Sequence, residues 1–204
     1  MGMCVVLASL REATIDRLHA NPPLVWLVVA PDDPEALARA RGAPTRPGLL
    51  ARLFGARVQP TASRAAAELV LEEGEGEAGD LDKAWHGIHF LLTGTAWEGD
   101  PPLNFLVTGG RQVGDEEVGY GPARTFTPAE AREIAGALAA VSDEQLQARF
   151  APQEMMRLEI YPEIWDRDPV DDDTLGYLME YTGQLRAMLA SVVERGHGLL
   201  VTVT

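Results

Sequence analysis

The sequence predicts a single α+β domain: a small, largely antiparallel or mixed sheet that includes both terminal strands, covered by several helices with a long one near the C-terminus. Three observations carry this. Short apolar runs rich in β-branched residues stand at both ends, Met3 to Ala8 and Leu199 to Thr204. Helix-start signals recur between them, with proline or an acid in the first turn. The longest helical periodicity, from about Asp171 to Gly196, directly precedes the last apolar run. At 204 residues the chain is long enough to build one real core.

The elements follow in order. Met3 to Ala8 reads as a buried strand, and Ser9 with Glu12 reads as a capping box opening a helix to about Ala20. Leu24 to Ala30 mixes signals, but Asn21 followed by proline favours a short helix. Asp33-Pro34 opens another that frays at Gly42. Glu72 to Gly79 (EEGEGEAG) reads as a flexible acidic linker. Leu81 to Thr93 (LDKAWHGIHFLLT) reads as a helix with Asp80 as its cap and Gly94 at its end. Leu103 to Thr108 alternates like a strand, and a second short strand is expected around Arg124 to Phe126. Thr127 with Glu130, then Ser142 with Gln145, form capping boxes for two further helices. Tyr161 to Asp168 (YPEIWDRD) is a loop. The last helix carries Asp171, Asp172 and Asp173 at its positive end and Arg195 at its negative end, an arrangement the helix dipole explains without a metal. Leu199 to Thr204 is expected to pair near the first strand.

Composition narrows the function. The net charge is −14 and the pI about 4.6, so nucleic acid and anionic membrane are expected to be poor partners. A lone cysteine, Cys4, permits neither an internal disulfide nor a cysteine-based zinc site. No run is long enough to span a bilayer, and the N-terminus lacks the pattern of a signal peptide. Although the chain begins Met-Gly, Val6 stands at the Ser/Thr position of a myristoylation site. A cytoplasmic protein is the expectation. One region differs from the rest: Arg39 to Arg64 holds six arginines and no acid. It reads either as an anion- or partner-docking strip or as a surface insertion at about 42–79 packed against an acidic body.

Chemistry, if present, is expected to start from the 81–93 helix. At 100° per residue Leu81, Ala84, Trp85, Ile88, Leu91 and Leu92 share a buried face, while Asp82, His86, His89 and Thr93 fall in a band roughly 60° wide beside it. His86 and His89 could reach one metal with Asp82, but the usual i, i+4 zinc spacing is absent, so no metal is expected. A general base formed by His86 or His89, oriented by Asp82 or Asp166, is the catalytic alternative. A histidine bonded structurally to backbone or to Asp82 competes with both. Gly110 to Gly121 fits neither a phosphate loop nor a dinucleotide fingerprint, no hydrolase signature occurs, and no cofactor is expected.

Four stretches together, MGM at the start, DLDKAWHGIHFLLTG, NFLVTGG with GYGPAR, and YPEIWDR before the final helix, resemble the YfbM-like bacterial family of unknown function. The resemblance implies an α+β domain and assigns no activity; the Arg39 to Gly79 region departs from the family pattern. The leading expectation is a ligand- or protein-binding domain without catalysis. Its shared pocket would be lined by Asp82, His86, His89, Tyr120, Arg124, Tyr161, Trp165 and Asp166. A small histidine enzyme, with His86, His89 and Asp166 as catalytic candidates, and an acidic partner for a basic protein are the alternatives. The oligomeric state is left open.

Overall fold

The computed structural model describes residues 2–40, 69–76 and 78–204. Most of the arginine strip and of the expected 42–79 insertion therefore lies outside the described residues. Among those described, five strands form one sheet in the order β2-β1-β5-β4-β3, every neighbouring pair antiparallel. The strands are β1 (Val5–Leu10), β2 (Ala78–Asp80), β3 (Arg111–Glu117), β4 (Pro122–Phe126) and β5 (Gly198–Val203). The terminal strands pair along their whole length, from Val5 against Val203 to Leu10 against Gly198.

Helices cover both faces, which explains the continuous apolar character of β1 and β5. One face, through Val5, Leu7, Phe126, Leu199 and Val201, packs on α4 (Trp85–Thr93), α5 (Pro128–Ala140), α6 (Asp143–Arg149), α7 (Pro152–Arg157) and α8 (Thr174–Glu194). The other, through Ala8, Leu10, Val113, Ala123 and Leu200, packs on α1 (Glu12–Ala20), a 3₁₀ turn over Pro22–Val25, α2 (Trp26–Val29) and α3 (Pro34–Ala40). No helix among the described residues is long and apolar enough to cross a membrane.

Both downstream capping boxes form: Thr127 and Ser142 accept from the backbone N–H groups of Glu130 and Gln145, whose side chains accept in return. The upstream one does not. Ser9 belongs to β1, its hydroxyl meets His197 Nδ1 at 2.9 Å, and the cap position passes to Arg11 without a side-chain bond. The expected acidic linker is built into the sheet instead: the Glu75 carboxylate accepts from the Arg11 and Glu72 N–H groups, and Ala78–Asp80 pairs with β1. Leu103 to Thr108 is not a strand but a run of turns with Phe105 and Leu106 both buried. The glycine-rich segment, by contrast, supplies β3.

Gly87 shows how tightly α4 and α8 meet. A Cβ there would lie 2.6 Å from Leu178 and 2.8 Å from the Trp165 ring, both buried. Alanine would gain about 1 kcal/mol of helix propensity. Overpacking a rigid contact costs about 1–3 kcal/mol. Gly87→Ala is therefore expected to lower the thermal midpoint by a few degrees; a raised midpoint in a melting curve would exclude the contact as described.

Candidate functional site

The eight residues expected to share a pocket separate into three groups. The first sits around the Tyr161–Asp168 loop where it joins the start of α8. Helix α4 begins at Trp85 rather than Leu81, because the Leu81 N–H still donates to Val5 O at the sheet edge. Asp82 therefore falls in the connecting turn with φ +43°, off the histidine face. Its backbone N–H donates to Asp80 Oδ1, so Asp80 caps this turn and not the helix. The Asp82 carboxylate accepts from Tyr177 Oη at 2.9 Å and faces the Cys4 thiol at 3.7 Å. Burial, then the adjacent carboxylates, push the Cys4 thiol up, and burial with the Asp82 bond raises the Tyr177 phenol; neither is a ready nucleophile or base.

The second group supports this loop from behind. His86 is fully buried. Its Nδ1 accepts from the Tyr161 N–H at 3.0 Å, so the proton sits on Nε2, which donates to Ala96 O at 2.7 Å. The ring stacks on Trp85, with centroids 4.8 Å apart, and lies against the half-exposed Trp97 at 4.3 Å. Tyr161 Oη accepts from the Met3 N–H, and Trp165, also buried, donates from Nε1 to Ile160 O at 2.6 Å. These are joints. The expected pairing of His86 with Asp82 or Asp166 is absent, because both imidazole nitrogens are taken by the backbone.

The remaining three residues share no one place: His89 lies beside His86, with ring centroids 6.4 Å apart, whereas Tyr120 and Arg124 stand in the β3–β4 turn and on β4. His89 is fully buried, with Nε2 3.3 Å from Thr93 Oγ1 and Nδ1 without a hydrogen-bond partner among the described residues; burial first, then His86, holds it at about 4. A neutral, sealed imidazole has no path to a substrate proton. Tyr120 is exposed in the β3–β4 turn, its N–H on Val203 O. Arg124 is half-buried, and its guanidinium donates to four carbonyls, those of Phe105, Leu106, Thr108 and Gly109, at 2.6–3.0 Å. Desolvation lowers it to about 10. Every carbonyl it holds belongs to the 105–109 turn, so the guanidinium expected to meet an anionic ligand is engaged in holding that turn.

What the structure does form is a pair of recesses on either side of an Arg167–Asp172 ion pair of 2.6 Å. The smaller, about 240 Å³, is walled by Asp82, Lys83, Pro162, Ile164, Asp172 and Tyr177. The larger, about 620 Å³, has Phe150, Pro152, Trp165 and Leu175 as apolar lining and Asp166, Asp168 and Asp173 as its acids. Thr174 touches both, and its hydroxyl donates to Trp165 O. Of the expected residues, Asp82, Trp165 and Asp166 line these recesses. Asp172, Tyr177 and Phe150 were not anticipated. The Asp triplet offered a signal, since Asp173 is the N-cap of α8 while Asp172 turns away to Arg167. Among the described residues, no three His, Cys, Asp or Glu converge to hold a metal ion.

Three comparisons bear on this arrangement. Residues 1–202 match the family described as a domain of unknown function, DUF1877. No curated protein matches the sequence. Among solved structures, the chain is similar to the crystal structure of YfbM from Escherichia coli, itself a protein of unknown function. The identity is 16%, the coverage 98% of this chain and 99% of that one, and the TM-score 0.63. At that identity the likeness shows the fold.

Proposed function

The chain belongs to the DUF1877 family, and from that premise we propose that it is a bacterial, cytoplasmic binding domain that acts without catalysis, through the face where the Tyr161–Asp168 loop meets α8. One observation carries the reading: the two helix histidines, the expected general bases, are sealed as structural joints, while the recesses beside them are preformed. His86 and His89 are both inaccessible. The recess walls, in contrast, are fixed by buried bonds from Trp165 and Thr174, so a ligand would meet an ordered surface and lose little in ordering it.

The test is reversible binding without turnover. Isotope-labelled protein is titrated with fractionated extract of the cells that make it, while amide shifts and the small-molecule spectrum are followed. Saturable shifts clustered over residues 161–177, with no compound consumed, are the expected result. Shifts confined to another face, or steady loss of a compound that depends on the protein, would overturn the reading.

A further inference from the structure

We propose that the 620 Å³ groove is the docking site for a basic segment of a partner protein, arginine or lysine alternating with an apolar side chain. This deepens the binding reading above and rests on it. The lining has two parts with different demands. Phe150, Pro152 and Leu175 offer half-buried apolar surface, and the Trp165 ring backs them. Such a surface favours an apolar anchor or the aliphatic stem of a long cation.

Charge decides the sign of the partner. Asp166, Asp168 and Asp173 face the groove, and the one cation among the described residues that line it, Arg167, is already paired with Asp172. Asp166 is exposed and projects from the loop that walls the groove. An anion would be expected at the start of α8, but the chain's own Asp173 occupies that position, its Oδ1 accepting from the Gly176 N–H at 2.8 Å. An anionic partner would also meet a chain of net charge −14. A cation therefore fits where an anion does not. Val170 stands at the tip of the adjoining turn, 92% exposed, as a further apolar contact just outside the groove.

The experiment uses the whole chain and a fluorescein-labelled peptide of sequence Arg-Leu-Arg-Leu-Arg, followed by anisotropy at low and moderate salt. Saturable binding is expected, weakened about tenfold by Asp166→Asn with Asp168→Asn, as two partly exposed charge pairs would give. The same charge change on the opposite face of the sheet, Glu12→Gln with Glu35→Gln, is expected to alter binding by less than about twofold, the scale of a distant screened charge. On the unaltered protein, Arg-Gly-Arg-Gly-Arg is expected to bind several-fold more weakly. Equal weakening by both double variants, or equal affinity for both peptides, would reduce the effect to diffuse attraction and overturn the proposal. A concentration-dependent dimer lost in the Asp166/Asp168 variant would give the groove to a second copy and overturn it as well. If the extract shifts amides over 161–177 while the peptide does not bind, this inference fails and the binding reading stands; if the extract acts elsewhere, that reading fails too.

Discussion

Arg124→Ala is expected to destabilise the protein by about 3 kcal/mol, because one guanidinium gathers four carbonyls of the 105–109 turn. Each bond to a charged donor is worth about 1.5–3 kcal/mol, but the four share one group and do not add. The turn is not peripheral: Phe105 and Leu106 are buried, and Phe105 meets Phe126 edge-on at 6.3 Å. Arg124→Lys is the discriminating control. A single ammonium cannot span carbonyls held by two separate guanidinium nitrogens, so lysine is expected to recover less than half of the loss. Urea denaturation of the three proteins measures both. If lysine restores full stability, a point charge and not the planar fork does the holding.

Acid is expected to weaken the fold through the two sealed histidines. The unfolded imidazole titrates near 6.5, whereas His89 in the fold is held at about 4 and His86 is also lowered, in each case chiefly by burial. The neutral form is the stable folded form, so its contribution is complete above about pH 6.5. As pH falls below that value the unfolded chain takes up the proton first, and stability drops until the folded pKa is reached. For His89 alone the difference is about 3 kcal/mol, of which about 2 kcal/mol is lost by pH 5. His86 adds a structural consequence. Protonating Nδ1 sets an N–H against the Tyr161 N–H, so the joint under the loop cannot survive in the charged state. Urea midpoints at pH 7.5 and pH 5 test this, with His89→Gln expected to show a smaller fall than the unaltered protein. Equal falls would mean that His89 is not the buried titrating group.

The sheet's centre and the downstream helices were legible because their signals are local. Thr127 with Glu130 and Ser142 with Gln145 cap helices within four residues, and β1 and β5 are continuous apolar runs. Errors arose where a distant partner took over a local signal. The Ser9 hydroxyl is claimed by His197, 188 residues away, so the capping box with Glu12 never forms. Leu103 to Thr108 imitates a strand over six residues, too short to separate alternation from a turn that buries neighbouring Phe105 and Leu106. Strand β3 carries three acids and a glycine among seven residues and gives little strand signal of its own; pairing with β4 makes it one.

The candidate site was legible in part for the same reason. Periodicity placed His86, His89 and Trp85 correctly on one helix. It could not show that Leu81 stays bonded to β1 and delays the helix, which sends Asp82 to Tyr177 instead of towards the histidines. Tyr177, on the first turns of α8, carries no mark in the sequence that separates it from a packing residue. Its role comes only from facing Asp82 across 95 positions.

The position of β5 has a consequence for how the molecule is made. It lies between β1 and β4, so among the described strands it alone joins the β2-β1 half of the sheet to the β4-β3 half. Strand β1 is made well before its full partner, residues 198–203, which follows nearly two hundred residues later. Until then the nascent chain carries two open strand edges flanked by apolar faces, the arrangement most prone to pairing with the wrong neighbour. The two halves of this sheet are therefore joined only once residues 198–203 are made, and that long-range pairing sets the timing.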